Sequence, residues 1–216
     1  MSEIFYKILD PRRTATFNKL SAFKNKAYLA GGTALALQLN HRLSLDFDLF
    51  LTKPLSRYLY KEIQSLFGPN FKTIRKSGNQ ISILTADNIK IDFVHYWYKP
   101  LLSFVKTTSI DLASIEDIAA DKANTLGHRG QWRDYVDLFV LIREKVLSLE
   151  KIMELSKKKF GGEFNEALFL EQLIFFADLQ VSGTKFLKEE YSEKQIKDFL
   201  ANEVTRFLKK EIPQIG

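Results

Sequence analysis

Three aspartates are the side chains of this sequence best suited to chemistry. Asp46 and Asp48 lie two residues apart in LSLDFDLF, and Asp92 sits farther along in IKIDFV. In a strand over residues 45–50, side chains alternate between faces. Asp46 and Asp48 then share one face, and Leu45, Phe47 and Leu49 share the other. Two carboxylates so close repel each other unless a cation or solvent offsets the charge. Just upstream, the short apolar strand Tyr28-Leu29-Ala30 runs into Gly31-Gly32-Thr33 and then a helix-forming stretch, Ala34 to Leu39. Two glycines before a helix start let backbone N–H groups approach a phosphate, which the helix dipole also favours. Each half of this pattern has a plain reading, a turn or the wet face of a strand. Their succession as strand, Gly-Gly, helix and strand within residues 28–50 supplies what metal-dependent phosphoryl or nucleotidyl transfer needs. Asp92 is the only acid of a second strand, residues 89–94. If that strand lies beside 45–50, Asp92 becomes a third carboxylate and a third metal ligand; an ion pair with Lys90 is the simpler alternative.

Four segments carry a resemblance to a known family. GGTALAL at 31–37, HRLSLDFDLF at 41–50, DIAADK at 117–122 and RDYVDL at 133–138 resemble the AbiEii nucleotidyltransferase-like toxins. These are the toxin half of type IV toxin–antitoxin systems, and they include the MenT toxins. The resemblance implies a nucleotidyltransferase fold, a nucleoside triphosphate as substrate and a divalent metal, Mg²⁺ or Mn²⁺. It implies catalytic roles for Asp46, Asp48, Asp92, Lys122 and Asp137, with Asp92 orienting or deprotonating the acceptor hydroxyl. Gly31, Gly32, Thr33, Arg42 and Lys122 become the nucleotide-binding residues. RNA, in particular a tRNA 3′ end, is the implied acceptor, and a cognate antitoxin the implied partner. Threonine at position 33 replaces the serine common in nucleotidyltransferases and keeps the hydroxyl.

Lys122 draws attention on physical grounds as well. It shares a helical stripe with Ile115, Ile118, Ala119, Ala123 and Leu126, so it must snorkel to water or meet an anion. Its neighbour Asp121 leaves that role open. Asp134 and Asp137 stand one turn apart in the next helix, and the sequence does not decide between them. Arg133, four residues before Asp137, offers an ordinary surface ion pair.

The elements that must position these residues are those of an α/β fold, a small mixed sheet with flanking helices followed by a helical half. The division falls at 1–110 and 111–216, with the second part completing the active site. Helices are expected over 3–25, from Pro54 to about 66, from Ser114 to about 126 and over 131–146. Three more are expected over 149–160, 164–179 and 193–210, the last with a capping box between Ser192 and Gln195. Leu55, Tyr58, Leu59, Ile63 and Leu66 form one apolar stripe, and Ile196, Phe199, Leu200, Val204, Phe207 and Leu208 another. The aromatic run His95-Tyr96-Trp97-Tyr98 could stack on bases but is expected to serve packing. Lys157-Lys158-Lys159 is expected to be a solvated helix end.

Charge distinguishes the two halves. Residues 1–110 carry 16 basic and 7 acidic side chains, whereas residues 151–216 carry 11 of each. A basic region around the acidic site suits a polyanionic substrate. An enzyme acting on a small hydroxylated cation such as an aminoglycoside would use the same carboxylates but favour an acidic cleft. A non-catalytic relative acting as an interaction protein is the other alternative. No apolar run reaches the ~18 residues of a membrane span, and the first residues lack a secretory core. The absence of cysteine excludes disulfides and thiolate-bound zinc and fits a cytoplasmic protein.

Overall fold

The computed structural model describes residues 3–177 and 179–211. The chain divides into two compact units, residues 1–115 and 116–216. The division falls beyond residue 110 because the segment that follows is tied to the first unit. Leu29 N–H donates to the Asp111 carbonyl and Ala113 N–H to that of Leu29, both at 2.8 Å.

The first unit opens with a 3₁₀ turn, Tyr6–Ile8, and helix α1, Pro11–Lys19, which runs into a second 3₁₀ turn, Leu20–Phe23. The single helix expected over 3–25 is thus three pieces. Asp10 sets the start of α1 by accepting from Arg13 N–H at 2.9 Å, with Pro11 in the first turn. Strand β1, Ala27–Ala30, leads directly into α2, Gly31–Leu39. After β2, Phe47–Leu51, comes α3, Leu59–Phe67, then β3, Lys72–Lys76, β4, Gln80–Leu84, and β5, Lys90–His95. The sheet order is β1-β2-β5-β4-β3, with β2 parallel to β5 and every other pair antiparallel. Phe47 and Phe93, on the face opposite the aspartates, meet Phe17 and Phe23 at ring separations of 6.4 and 5.1 Å. This apolar layer holds the sheet against α1 and the turn after it.

Several expectations are corrected here. Strand β2 begins at Phe47, and Leu45 is exposed rather than aligned with the buried Phe47 and Leu49. Pro54 does not open α3: residues 54–58 form loop and turn, Tyr58 is exposed, and only Leu59 and Ile63 of the helix are buried. β3 is an additional strand. Its Lys-Thr-Ile-Arg-Lys sequence suits a sheet edge, where charged side chains discourage pairing with another chain.

The second unit is helical: α4, Ile115–Arg129, which begins at the boundary; α5, Trp132–Arg143; α6, Leu149–Phe160; α7, Glu166–Ile174; and α8, Glu193–Glu211. α7 ends at Ile174, with Phe175 already extended, short of the expected 179. Ile196, Leu200 and Val204 form the buried stripe of α8, while Leu208 is exposed. Ser192 and Gln195 make the expected capping box, Ser192 N–H donating to Gln195 Oε1 at 2.8 Å and Gln195 N–H to Ser192 Oγ at 3.2 Å. No helix among the described residues is long and apolar enough to cross a membrane.

Candidate active site on the sheet

The site begins where β1 turns into α2. Gly31 has φ +65°, in the left-handed region, and a Cβ built there would collide with Oδ2 of Asp48. Glycine therefore answers two needs at that position, backbone conformation and close approach. A Cβ on Gly32 would lie 2.7 Å from Nη2 of Arg42 and 3.1 Å from Oγ of Ser44. The turn is consequently bracketed by a carboxylate and a guanidinium. Arg42 is 2% exposed and donates from Nη1 to the Leu43 carbonyl at 3.0 Å. The Thr33 hydroxyl lies 2.9 Å from Ser44 Oγ and donates to the Asp46 carbonyl. It is buried and engaged in fixing the segment that carries Asp46. Ser44 is part of this arrangement and was not visible as a site residue in the sequence.

The sheet register places Asp48 opposite Asp92 on the parallel neighbours β2 and β5, and Ala30 opposite Asp48. Side chains of paired residues project from the same face, so the two carboxylates share it, next to Gly31. Asp46 lies two residues before Asp48 and outside β2. Asp92 is buried, with Lys90 Nζ donating to its Oδ2 at 2.7 Å. The expected alternative, the Lys90 pair, is therefore present, but around a buried carboxylate. Asp92 Oδ1 is buried without a hydrogen-bond partner among the described residues. Partial burial alone would lower the Lys90 pKa; the hydrogen bond and charge of Asp92, with the fields of Asp48 and Asp46, raise it instead. One ammonium thus sits in the combined field of all three acids. Ser82, paired with Asp92 across β4, is a further buried polar group on this face that the sequence did not single out.

The family implies a divalent metal. The residues fit one in chemistry: carboxylate oxygens are the hard donors Mg²⁺ takes, the Lys90 ammonium occupies cation-favouring space, and Asp92 keeps one oxygen unengaged. Among the described residues, no three carboxylate, histidine or cysteine groups are already gathered around one point.

In the helical unit, Lys122 is buried and meets two carboxylates of α5, Asp134 Oδ1 at 2.8 Å and Asp137 Oδ2 at 2.6 Å. Asp137 is fully buried and is held by Lys122, whereas Arg133 is exposed. A second network resembles the first: Lys159 meets Asp117 Oδ1 at 2.8 Å and Asp121 Oδ1 at 2.7 Å, with its side chain 1% exposed. The expectation of a solvated helix end fails for Lys159, and Asp121 is partnered by it. The aromatic run divides too. Tyr96 packs on Phe50 at a ring separation of 4.3 Å, as expected, but Trp97 is 65% exposed.

Over residues 15–211 the sequence matches the AbiEii family, nucleotidyltransferase toxins of type IV toxin–antitoxin systems. The chain belongs to that family. It is 30% identical over 190 residues to an uncharacterized protein of Aquifex aeolicus (strain VF5), covering 82% of this chain and 90% of the relative. Among solved structures it is similar to JHP933 from Helicobacter pylori, at 17% identity and a TM-score of 0.59, covering 96% of this chain and 94% of that one. It is also similar to MenT4, a nucleotidyltransferase toxin from Mycobacterium tuberculosis H37Rv, at 14% identity and a TM-score of 0.54, covering 89% and 82%. The mixed sheet with flanking helices is the nucleotidyltransferase fold, and this AbiEii-family protein is a nucleotidyltransferase.

Proposed function

We propose that this protein transfers a nucleotide from a nucleoside triphosphate to RNA, at a tRNA 3′ end, in a metal-dependent reaction, as the toxin of a pair with a cognate antitoxin. The observation that carries the reading is the register of Asp48 and Asp92 beside the positive-φ turn at Gly31. It sets carboxylates next to a helix start that can take phosphate. The basic surplus of residues 1–110 supports a polyanionic acceptor over a small cationic one.

Asp46, Asp48 and Asp92 would hold the divalent metal, which supplies charge neutralisation on the transferring phosphate when bound. Gly31 and Gly32 admit the triphosphate to backbone N–H groups, and Arg42 adds positive charge beneath the turn. Thr33 acts through its grip on Ser44 and the Asp46 carbonyl. Asp92 accepts the proton of the acceptor hydroxyl. That oxygen forms the new bond to the α-phosphorus as the bond to the β-phosphate oxygen breaks, and pyrophosphate leaves. Lys122 is the proposed phosphate ligand of the helical unit, with Asp137 and Asp134 holding it in place.

The test incubates the protein with each labelled triphosphate, Mg²⁺ and total bacterial RNA. Label on RNA with one triphosphate, abolished by chelation, is the expected result. Label on no RNA with any triphosphate overturns the acceptor assignment. Growth arrest on induction, absent for Asp48→Asn, tests the toxin role.

A further inference from the structure

The register of the whole sheet extends the row that holds the carboxylates. Ala30 pairs with Asp48, Asp48 with Asp92, Asp92 with Ser82 on β4, and Ser82 with Arg75 on the edge strand β3. Paired residues project from one face, so a guanidinium ends the row that begins beside the glycine turn. The adjacent row runs Lys90, Leu84, Lys72, which puts a second cation of β3 on this face. A bulge between Thr73 and Arg75 produces the arrangement. Thr73 pairs with Ile83, so without the extra residue Ile74 would stand opposite Ser82. The other face of β3 is turned to α3. There Thr73 Oγ1 lies 3.3 Å from the Tyr60 hydroxyl, and Lys76 Nζ lies 4.6 Å from the Tyr60 ring centre. Arg75 and Lys72 are exposed, and neither makes an ion pair with a described residue. β3 and β4 contain no Asp or Glu. Charge that only protected the sheet edge would need no register with Asp92.

We propose that Arg75 and Lys72 hold backbone phosphates of the acceptor RNA, on the side of the site away from the triphosphate. The proposal rests on the reading of RNA as acceptor and of Asp92 as the group that takes its hydroxyl proton. The sheet order separates the two substrates: β1 and the Gly31 turn lie on one side of the carboxylates, β4 and β3 on the other. Neighbouring strands are about 4.8 Å apart, so across the sheet Arg75 stands about 10 Å from Asp92 and about 19 Å from the end of β1. A guanidinium on β3 therefore serves the ligand beside Asp92 rather than the one at Gly31. An RNA strand whose terminal hydroxyl meets Asp92 continues into further phosphates, and toward β3 these meet two cations with no acid beside them on β3 or β4. A small cationic acceptor would be repelled there.

The experiment measures binding of an unstructured oligoribonucleotide to the full chain by fluorescence anisotropy over a salt series, and binding of a triphosphate with Mg²⁺ by calorimetry. The Lys72→Ala/Arg75→Ala variant should make the log–log salt dependence shallower by about 1.4, two phosphates at ~0.7 each, and weaken binding about 25-fold at ~0.1 M salt. Triphosphate affinity should stay at the wild-type value. Lys76→Ala removes a charge from the same strand on the face turned to α3, and should leave the slope unchanged. Because Lys72 and Arg75 are exposed, their replacement leaves the core intact, which an unchanged melting temperature checks. Wild-type RNA affinity in the double variant overturns the phosphate contact while leaving RNA as acceptor. A loss in Lys76→Ala equal, per charge, to that of the double variant overturns the assignment to one face. Equal losses of triphosphate and RNA affinity overturn the proposal in favour of the donor. Failure of the unmodified protein to bind RNA at low salt overturns the acceptor reading and the contact with it.

Discussion

The sheet site and the helical unit treat buried charge differently. At the sheet site, Lys90 lies in the field of Asp92, Asp48 and Asp46, and Asp92 keeps a buried oxygen without a hydrogen bond from any described residue. Strand pairing holds Asp48 and Asp92 side by side, at a cost, since like charges in proximity oppose folding. In the helical unit, Lys122 and Lys159 are each closed over by two aspartates at 2.6–2.8 Å. There the charges are spent on one another, and the pairs join α4 to α5 and to α6. A buried carboxylate oxygen left open, as on Asp92, marks a place that can take a ligand; acids matched to buried lysines mark a scaffold. The resemblance between the two lysine networks also shows that burial of Lys122 is not by itself a sign of phosphate binding.

The sharpest way to break this comparison is to remove the buried lysines. Lys159→Ala leaves Asp117 buried without its counter-ion, and loss of one partner from such a pair costs about 3–5 kcal/mol. Urea unfolding should show it, and Lys122→Ala should cost a similar amount. A Lys122→Met/Asp137→Leu protein removes both charges and should recover much of the stability. If Lys122 also meets phosphate, that double variant will still bind triphosphate about 10- to 100-fold more weakly. Unchanged affinity in the refolded double variant would confine Lys122 to the scaffold.

Asp48→Asn should act in the opposite sense. Nucleotide transfer should fall by at least ~100-fold, since the metal supplies several kcal/mol of charge stabilisation. Without metal, the melting temperature should stay level or rise, because a repulsive charge has gone. A clear loss of apo stability would place Asp48 among the scaffold charges. Gly31→Ala comes next. A left-handed residue with a Cβ costs about 1–2 kcal/mol, and displacement of the Asp48 carboxylate should reduce activity as well. Thermal melts and turnover of the same preparation check both.

The smallest effect concerns pH. The Lys90 pKa is raised in the folded protein, so its contribution is complete below the unfolded value of ~10.4 and is lost as pH rises through the folded value. Lys90 is partly exposed, which limits that contribution to about 1 kcal/mol or less. Lys90→Met should flatten the stability profile above pH ~10.5 and leave it unchanged near neutrality. An unchanged profile above pH ~10.5 would mean that another group was responsible.

What the sequence made legible was local. The β1–α2–β2 core could be read because a Gly-Gly turn, a helix-forming run and alternating aspartates each signal over a few residues. Asp92 needed one further assumption, that its strand lies beside β2, and the register supplies it. β3 escaped because three of its five residues are charged and hide the alternation. The start of α3 was misplaced because proline fits a first helical turn as well as a loop, and nothing local distinguished them. The lysine networks were illegible for another reason. Lys122 reaches Asp134 twelve residues on, and Lys159 reaches back to Asp117 across forty-two. Such partners are chosen by helix packing, which no short pattern encodes. The sequence points Trp97 to packing because its neighbour Tyr96 does pack; only the placement of the loop exposes it.

The parallel pairing of β2 with β5 has a consequence for how the protein comes into being. Asp48 and Asp92 become neighbours only once the chain has closed a loop from β2 to β5, across α3, β3 and β4. Closure over such a span is among the slower events of folding, because its entropy is lost before the contacts are gained. A growing or truncated chain that ends before β5 carries the glycine turn and Asp48 without Asp92 opposite. The reactive arrangement therefore arises late, as a property of the completed sheet, and a partly made molecule lacks it.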